Sequence, residues 1–500
     1  MYKVLRADKD IYITDRVING IRSYESNTGV GGTIDIFKLY GMTTSLSGST
    51  KVPNTELSRA LLHFDLSPLL SLSSSNSIDI SDPSFSCHVK LFDVYGGQPT
   101  PRNFTVVLNP LSKSFDEGIG KDVVFYSDHS ICNFMTASWS SISGSDTWIL
   151  SGAASGGSWT STVDYITSIP TGSSTYTQTF IDGTEDLYIN VTETVKSVIK
   201  DEIPDSGFRL ALHSSHESDV RSYFVKRFSS RHAFDESKHP QLIVKFDDSI
   251  ISDQEMLELD SSSDLFMFNR RRGVLSNIFS GSSELTGSNI AILKIRHNVV
   301  SGSVFYFSAS LHSTGIYGST VLLPSTNVVL NNNIIASGSV VLDQEWKSTD
   351  LTVSYFTGSL VLNPPDRGNT MTCDVKYSMA VSGLMNDHRN DEIVDIRLHI
   401  FDVSRQFTKA VKTLIDSPGL VVRDVHYSIR DYMTGNVVIP FDTVGNSTRL
   451  SADSRGMFTS IDMSNLTSGR AYVLDFMVDR QSQTKIYDSI AFFRVTKDQK

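Results

Sequence analysis

Cysteine is nearly absent from this chain: Cys87, Cys132 and Cys373 are the only three in 500 residues. They are far apart, odd in number and show no Cys-x-x-Cys spacing. That excludes a disulfide scaffold or a zinc knuckle as the organising device. All three are read as buried free thiols of a protein assembled in a reducing compartment. Long apolar runs are also missing. Nothing approaches the roughly 18 consecutive apolar residues of a membrane span. The opening MYKVLRADKDIYITD holds no stretch that could act as a signal h-region. Basic charge is short as well, with 44 Lys and Arg against 55 Asp and Glu and a net charge of -11. Nucleic acid is therefore not an expected partner, because phosphate contacts need clustered Lys and Arg. No Gly-x-Ser-x-Gly, no P-loop and no Gly-x-Gly-x-x-Gly after a strand is present, which removes the commonest hydrolase and nucleotide signatures.

What the chain has in quantity is alternation. Hydrophobic residues, 39% of the total, recur with a period of two in brief runs bounded by Ser, Gly, Asn and Asp. HVKLFDVYG (88–96), GFRLALHSS (207–215), AILKIRHNV (291–299), IVDIRLHIFDV (393–403) and RAYVLDFMVD (470–479) all have the form of strands. This length corresponds to about three domains. The pattern predicts a mostly β chain of tandem antiparallel β-sandwiches, one jelly-roll-like and two immunoglobulin-like. One short amphipathic helix interrupts it. In NVTETVKSVIKDEIP, Val191, Val195, Val198, Ile199 and Ile203 share a face, Asn190 and Glu193 have capping-box spacing, and Pro204 ends the run. The acidic stretch 249–263 reads as a linker, and the polar SGLMNDHRNDE (382–392) as a second break. The expected domains are 1–248, 264–385 and 386–500. A Ser/Gly-rich insertion over 137–175 carries Trp139, Trp148 and Trp159.

By composition, the strongest candidate site is SFDEGIGKDVVFYSD (114–128). A calcium loop needs six to eight oxygens at set spacing. Adjacent Asp116 and Glu117 with Asp122 further on fit no standard loop, so a cation loop on these three stands as the lesser alternative. A glycosidase needs two carboxylates about 5–9 Å apart across a cleft, which neighbours in one loop seldom supply. The reading adopted is a turn whose acids bond nearby amides while Gly118 and Gly120 take positive φ. HSSHESD (213–219) sets His213 and His216 three apart. On a strand these point to opposite faces, so exposed turn polars are expected rather than a metal site. NRRRG (269–273), with Arg270, Arg271 and Arg272, is the expected electrostatic anchor. The three tryptophans have the composition either of a sugar-stacking platform or of a protein–protein hot spot. No cofactor is expected.

SRALLHFDLSPL (58–69), SFDEGIGKD, DLYINVTETVKSVI (186–199), GFRLALHSS, SYFVKRFSSRHA (222–233) and HPQLIVKF (239–246) follow one another in that order. This series resembles the DNRLRE-type β-sandwich domain. That family has an LLRFDLS strand, a Trp-x-Glu-Gly loop, a segment leading into a helix, a GFAL strand and a closing Pro-Leu-Val-Val strand. The likeness covers nearly half the chain. It departs where SFDEG lacks the usual Trp and in the Trp-bearing insertion. Residues 425–478 look like the C-terminal sandwich of virion structural proteins of large tailed phages. The resemblance implies a passive building block of the neck, tail or baseplate, not an enzyme. It also implies a virion location after assembly in the bacterial cytoplasm, and other virion proteins as partners in a symmetric homo-oligomer. The alternative is a carbohydrate-binding adhesin with a glycan partner; a glycan-acting hydrolase is third.

Overall fold

The strand Lys51–His63 serves two sets of partners. Lys51–Leu57 pairs antiparallel with Lys38–Thr44. Beyond it, Ser58–His63 pairs with Lys9–Thr14, and Ala60–Leu62 with Phe208–Leu210. A strand that changes partners along its length forms a corner of a sandwich. The computed structural model describes residues 1–44, 50–75, 77–97, 100–124, 131–140, 144–159, 162–254, 257–272, 274–297, 303–364, 377–402, 420–453, 455–480 and 483–497. The chain divides into two compact units, one of Tyr2–Ser75 with Asp79–Phe246, the other built on Asp247–Lys500.

In the first unit a seven-stranded sheet runs Tyr176–Phe180, Phe104–Pro110, Phe208–Leu212, Lys51–His63, Thr33–Thr44 and Phe224–Ser229, with Lys9–Thr14 joined to Lys51–His63 off that path. A four-stranded sheet runs Tyr2–Arg6, Gln241–Lys245, Ser86–Leu91 and Leu187–Asn190. Alternation does the sorting: in Ser86–Leu91 every second residue, Cys87, Val89 and Leu91, is fully buried. Phe104 stacks on Phe180 with centroids 4.9 Å apart and meets Phe224 at 4.8 Å. Each such side chain contributes about 1.5–3 kcal/mol on burial. Two lysines break the apolar pattern. Lys38 and Lys226 are buried on the neighbouring strands Thr33–Thr44 and Phe224–Ser229. Lys226 Nζ donates to Gly183 O and Glu185 O, both at 2.9 Å, and pairs with Asp93 at 2.5 Å. Lys38 Nζ pairs with Asp219 at 2.7 Å. A buried ammonium is tolerated only when paired and hydrogen-bonded in this way.

The second unit holds two further sandwiches. In one, seven strands run in the order Leu257–Glu258, Ser354–Asn363, Val340–Ser348, Ala291–His297, Val304–Ser313, Ile316–Leu322 and Ser262–Phe268. Its core includes Leu293, Trp346, Leu360 and Tyr317, roofed by Leu330 and Ile334 of the helix Val328–Ser337. In the other, a four-stranded and a five-stranded sheet are built from Tyr377–Ser382 onward. Tyr472, second residue of the strand Ala471–Arg480, donates its hydroxyl to Thr467 O at 2.9 Å. That is the tyrosine corner of immunoglobulin-like sandwiches.

Several expectations need correction. The described residues contain four helices rather than one. The expected helix is present as Thr192–Ile199, but Val191 is its N-cap and the capping box is not formed. Asn190 Oδ1 instead accepts from Thr192 N at 2.9 Å, an Asx turn. Residues 249–263 are not a free linker. Ile251 bridges Ala452, Leu257–Glu258 pairs parallel with Leu362–Asn363, and Asp253 and Gln254 are buried. Tyr377–Ser382, expected before the break at 385, pairs with Arg397–Asp402 of the last sandwich. Cys87 and Cys132 are buried free thiols, and burial pushes both well above the ordinary thiol range. Cys373 lies outside the described residues.

Candidate functional site

The acid-rich loop sits against the strand Lys9–Thr14. Phe115 is buried with Ile11, Ile13 and Leu61, which pins the loop. Lys9 Nζ donates to Phe115 O at 3.2 Å, and Asp10 N donates to Glu117 Oε1 at 2.9 Å. Asn27 holds the other side. Its Nδ2 donates to Glu117 O at 2.9 Å and Cys132 O at 2.8 Å, while its Oδ1 accepts from Gly120 N at 2.7 Å. Gly118 takes φ +79° as expected. Gly120 does not take positive φ; it is required because a Cβ there would lie 2.1 Å from Asn27 O.

The three acids do different things. Asp116 Oδ2 accepts from Trp139 N at 3.1 Å, and Asp122 Oδ1 from Val124 N at 2.8 Å. Both act on backbone amides, Asp122 two residues on, as a turn requires, and Asp116 on a strand 23 residues away. Glu117 also engages a side chain. Its carboxylate is bidentate with Arg231, Nε to Oε1 at 2.6 Å and Nη2 to Oε2 at 2.7 Å. His232 Nε2 lies 3.4 Å from Oε1. Behind this pair, Asp10 is buried and accepts from Arg231 N at 2.5 Å. Burial, reinforced by the Glu117 carboxylate and opposed by the Arg231 amide, pushes Asp10 up to about 7. The cation loop on Asp116, Glu117 and Asp122 is thus corrected: Glu117 is engaged by a guanidinium. Among the described residues no group of three or more His, Cys, Asp or Glu could hold a metal ion. Asp128 of the same stretch lies outside the described residues.

The tryptophan insertion also departs from expectation. Trp148 is buried beside Ile11, Leu61 and Phe115, and its Nε1 donates to Asn133 O at 3.0 Å. Trp159 is half-buried against Ile166, Ile169 and Ile203. Only Trp139 is well exposed, at 48%. No three-ring platform for sugar stacking is formed. Trp148 anchors the insertion to the sandwich, helped by fully buried Asp164, which accepts from Ile149 N, Leu150 N and Ser155 N at 2.7, 3.1 and 3.0 Å. Trp139→Ala is therefore expected to change the unfolding free energy by no more than about 0.5 kcal/mol in urea denaturation.

HSSHESD is not a strand and turn of exposed polars. It contains the short helix Ser214–Ser218, capped by His213, whose ring accepts from Ser215 N. Glu217 is bidentate with the largely buried Arg59 at 3.0 and 2.9 Å, and Asp219 pairs with Lys38. Sequence reasoning missed Arg59, Lys38, Asn27, Asp10 and Arg231 as site residues. One signal was available: a cation at an inward position of an alternating strand, as in SRALL and IFKLY, demands a carboxylate elsewhere. Arg270 and Arg271 pair as a short strand with Val274–Leu275, and Arg272 follows in the turn at φ +53°. All three are exposed.

The chain is mostly β and built of largely antiparallel sandwiches, the last of which carries a tyrosine corner. No family model matches it, and no curated protein matches it. Among solved structures it is similar to an amphioxus IgVJ-C2 molecule, at 8% identity over 47% of this chain and 98% of that one, TM-score 0.12. It is also similar to the four N-terminal Ig domains of Dscam1, at 8% identity over 59% of each chain, TM-score 0.13. A tetra-tandem repeat from the extending region of a large adhesion protein matches at 10% identity over 96% and 98%, TM-score 0.13. At these TM-scores none of them carries a functional argument. No helix among the described residues is long and apolar enough to cross a membrane.

Proposed function

We propose that this chain is a non-enzymatic structural component of a tailed-phage virion, placed in the neck, tail or baseplate and assembled with other virion proteins. The observation that carries the non-catalytic reading is the Glu117–Arg231 pair. The most enzyme-like loop of the sequence ties three separate segments of the first unit together. A carboxylate held bidentate by a guanidinium is a poor base or nucleophile, because its lone pairs are already engaged. The ordered series of motifs over 58–246 and the tandem sandwiches support the virion part. The test is cryo-electron microscopy and quantitative mass spectrometry of the intact particle. The chain is expected at a fixed copy number relative to the other tail proteins. A purified particle without it would end this reading.

A further inference from the structure

Two surfaces of this chain complement each other. The first is a projecting turn. Phe234 is 106% exposed, the most exposed large hydrophobic residue among those described. The turn that carries it is well fixed. Asp235 Oδ1 accepts from Ser237 N at 3.1 Å and Ser237 Oγ at 2.6 Å. His239 Nε2 bonds Ala233 O at 2.9 Å and closes the other side. A bare aromatic ring on a rigid turn, followed directly by Asp235 and Glu236, is an anchor shape with a negative flank; Lys238 stands at the far end of the turn. Exposed aromatic anchors are typical centres of protein contacts.

The second surface is a cleft of about 350 Å³ in the second unit. Phe266, Phe268 and Phe356 give it apolar walls. Arg270, Arg397 and Arg455 stand around it. Arg397 is neutralised by a bidentate pair with Asp453 at 2.9 and 2.6 Å, and Arg270 lies 3.5 Å from Asp395. Arg455 is exposed and has no carboxylate partner among the described residues. The cleft is therefore locally basic in a chain of net charge -11. A polyanion such as nucleic acid would be repelled by the rest of the molecule. A single aromatic ring flanked by two carboxylates would be welcome: the ring among the phenylalanines, the acids toward the Arg455 guanidinium.

We infer that the Phe234 turn of one copy docks in the Phe266–Phe356–Arg455 cleft of a second copy. The two surfaces are different, so the contact is head-to-tail. Such contacts close into rings or run on as filaments. This extends the reading above to a specific self-contact, but does not depend on where the protein is found. Sedimentation velocity on the full chain across the micromolar range tests it. The wild type is expected to form concentration-dependent oligomers that weaken as salt rises. Phe234→Ala and Arg455→Glu should each associate roughly tenfold or more weakly. Both positions are exposed, so both variants should keep the wild-type circular dichroism.

Mixing the two variants is the decisive arm. One retains the cleft and the other the turn, so the mixture should yield a 1:1 heterodimer and nothing larger. A wild type that stays monomeric, a Phe234→Ala protein that assembles like the wild type, or a mixture without heterodimer would each overturn the inference. Each of those results would leave the presence of the chain on a particle to its own measurement.

Discussion

Replacing Glu117 with alanine is expected to lower the unfolding free energy of the first unit by about 3 kcal/mol, the lower end of the range for breaking a buried ion pair. The lower end applies because Arg231 is 31% exposed while Glu117 is 12% exposed. Two costs add. The Arg231 guanidinium loses its bidentate partner, and Asp10 N loses its acceptor. An unsatisfied buried amide alone costs about 1–3 kcal/mol. Glu117→Gln should fall between, since the amide oxygen can still accept from Asp10 N. Urea denaturation followed by tryptophan fluorescence reads this directly, because three of the four tryptophans (Trp139, Trp148, Trp159) lie in the first unit. A loss below about 1 kcal/mol would mean the pair is only a surface contact.

Asp10→Asn is expected to stabilise the protein at pH 8 and to leave it unchanged near pH 4. An aspartate ordinarily titrates near 3.8, and in the folded chain Asp10 is pushed up to about 7. Between those values the folded state binds a proton that the unfolded state has released. Unfolding free energy must then fall as pH rises from about 4 to about 7, and level off above. Three pH units set an upper limit of about 4 kcal/mol. The physical cause is burial beside Glu117. Arg231 cannot relieve it fully, since its guanidinium is already bound to Glu117. Asparagine keeps an oxygen for Arg231 N without the charge. Wild-type and Asp10→Asn stability curves that run parallel from pH 4 to pH 8 would refute this assignment.

The part of the loop that is local was legible in the sequence. Gly118 and the Asx turn at Asp122 follow from residue type alone. The part that matters most was not, because Arg231 lies 114 residues further on. No period or spacing encodes that distance. The helix Thr192–Ile199 was legible because its apolar residues keep helical spacing. Val328–Ser337 was not. Its NNN run reads as loop, and its apolar residues are spread around the axis, with Leu330 and Ile334 buried but Val328 and Ile335 exposed. It forms because Asn327 caps Leu330 N at 3.2 Å and Gly338 closes it at φ +78°. Composition placed three tryptophans in one insertion and suggested one shared surface. Packing gave them different fates: Trp148 is buried beside Ile11, Leu61 and Phe115, Trp159 is half-buried, and Trp139 is exposed.

In the four-stranded sheet of the first unit, Gln241–Lys245 lies between Tyr2–Arg6 and Ser86–Leu91. The last strand made is therefore an inner strand, and among the described residues the first made has no other neighbour in that sheet. On the ribosome, Tyr2–Arg6 must wait for nearly the whole unit to be synthesised, on the order of 10–50 s at bacterial and eukaryotic elongation rates. During that interval Ser86–Leu91 presents an open edge to any other nascent chain. Closure of the first unit is thus timed by translation, and a pause before residue 241 would prolong the period in which it can mispair.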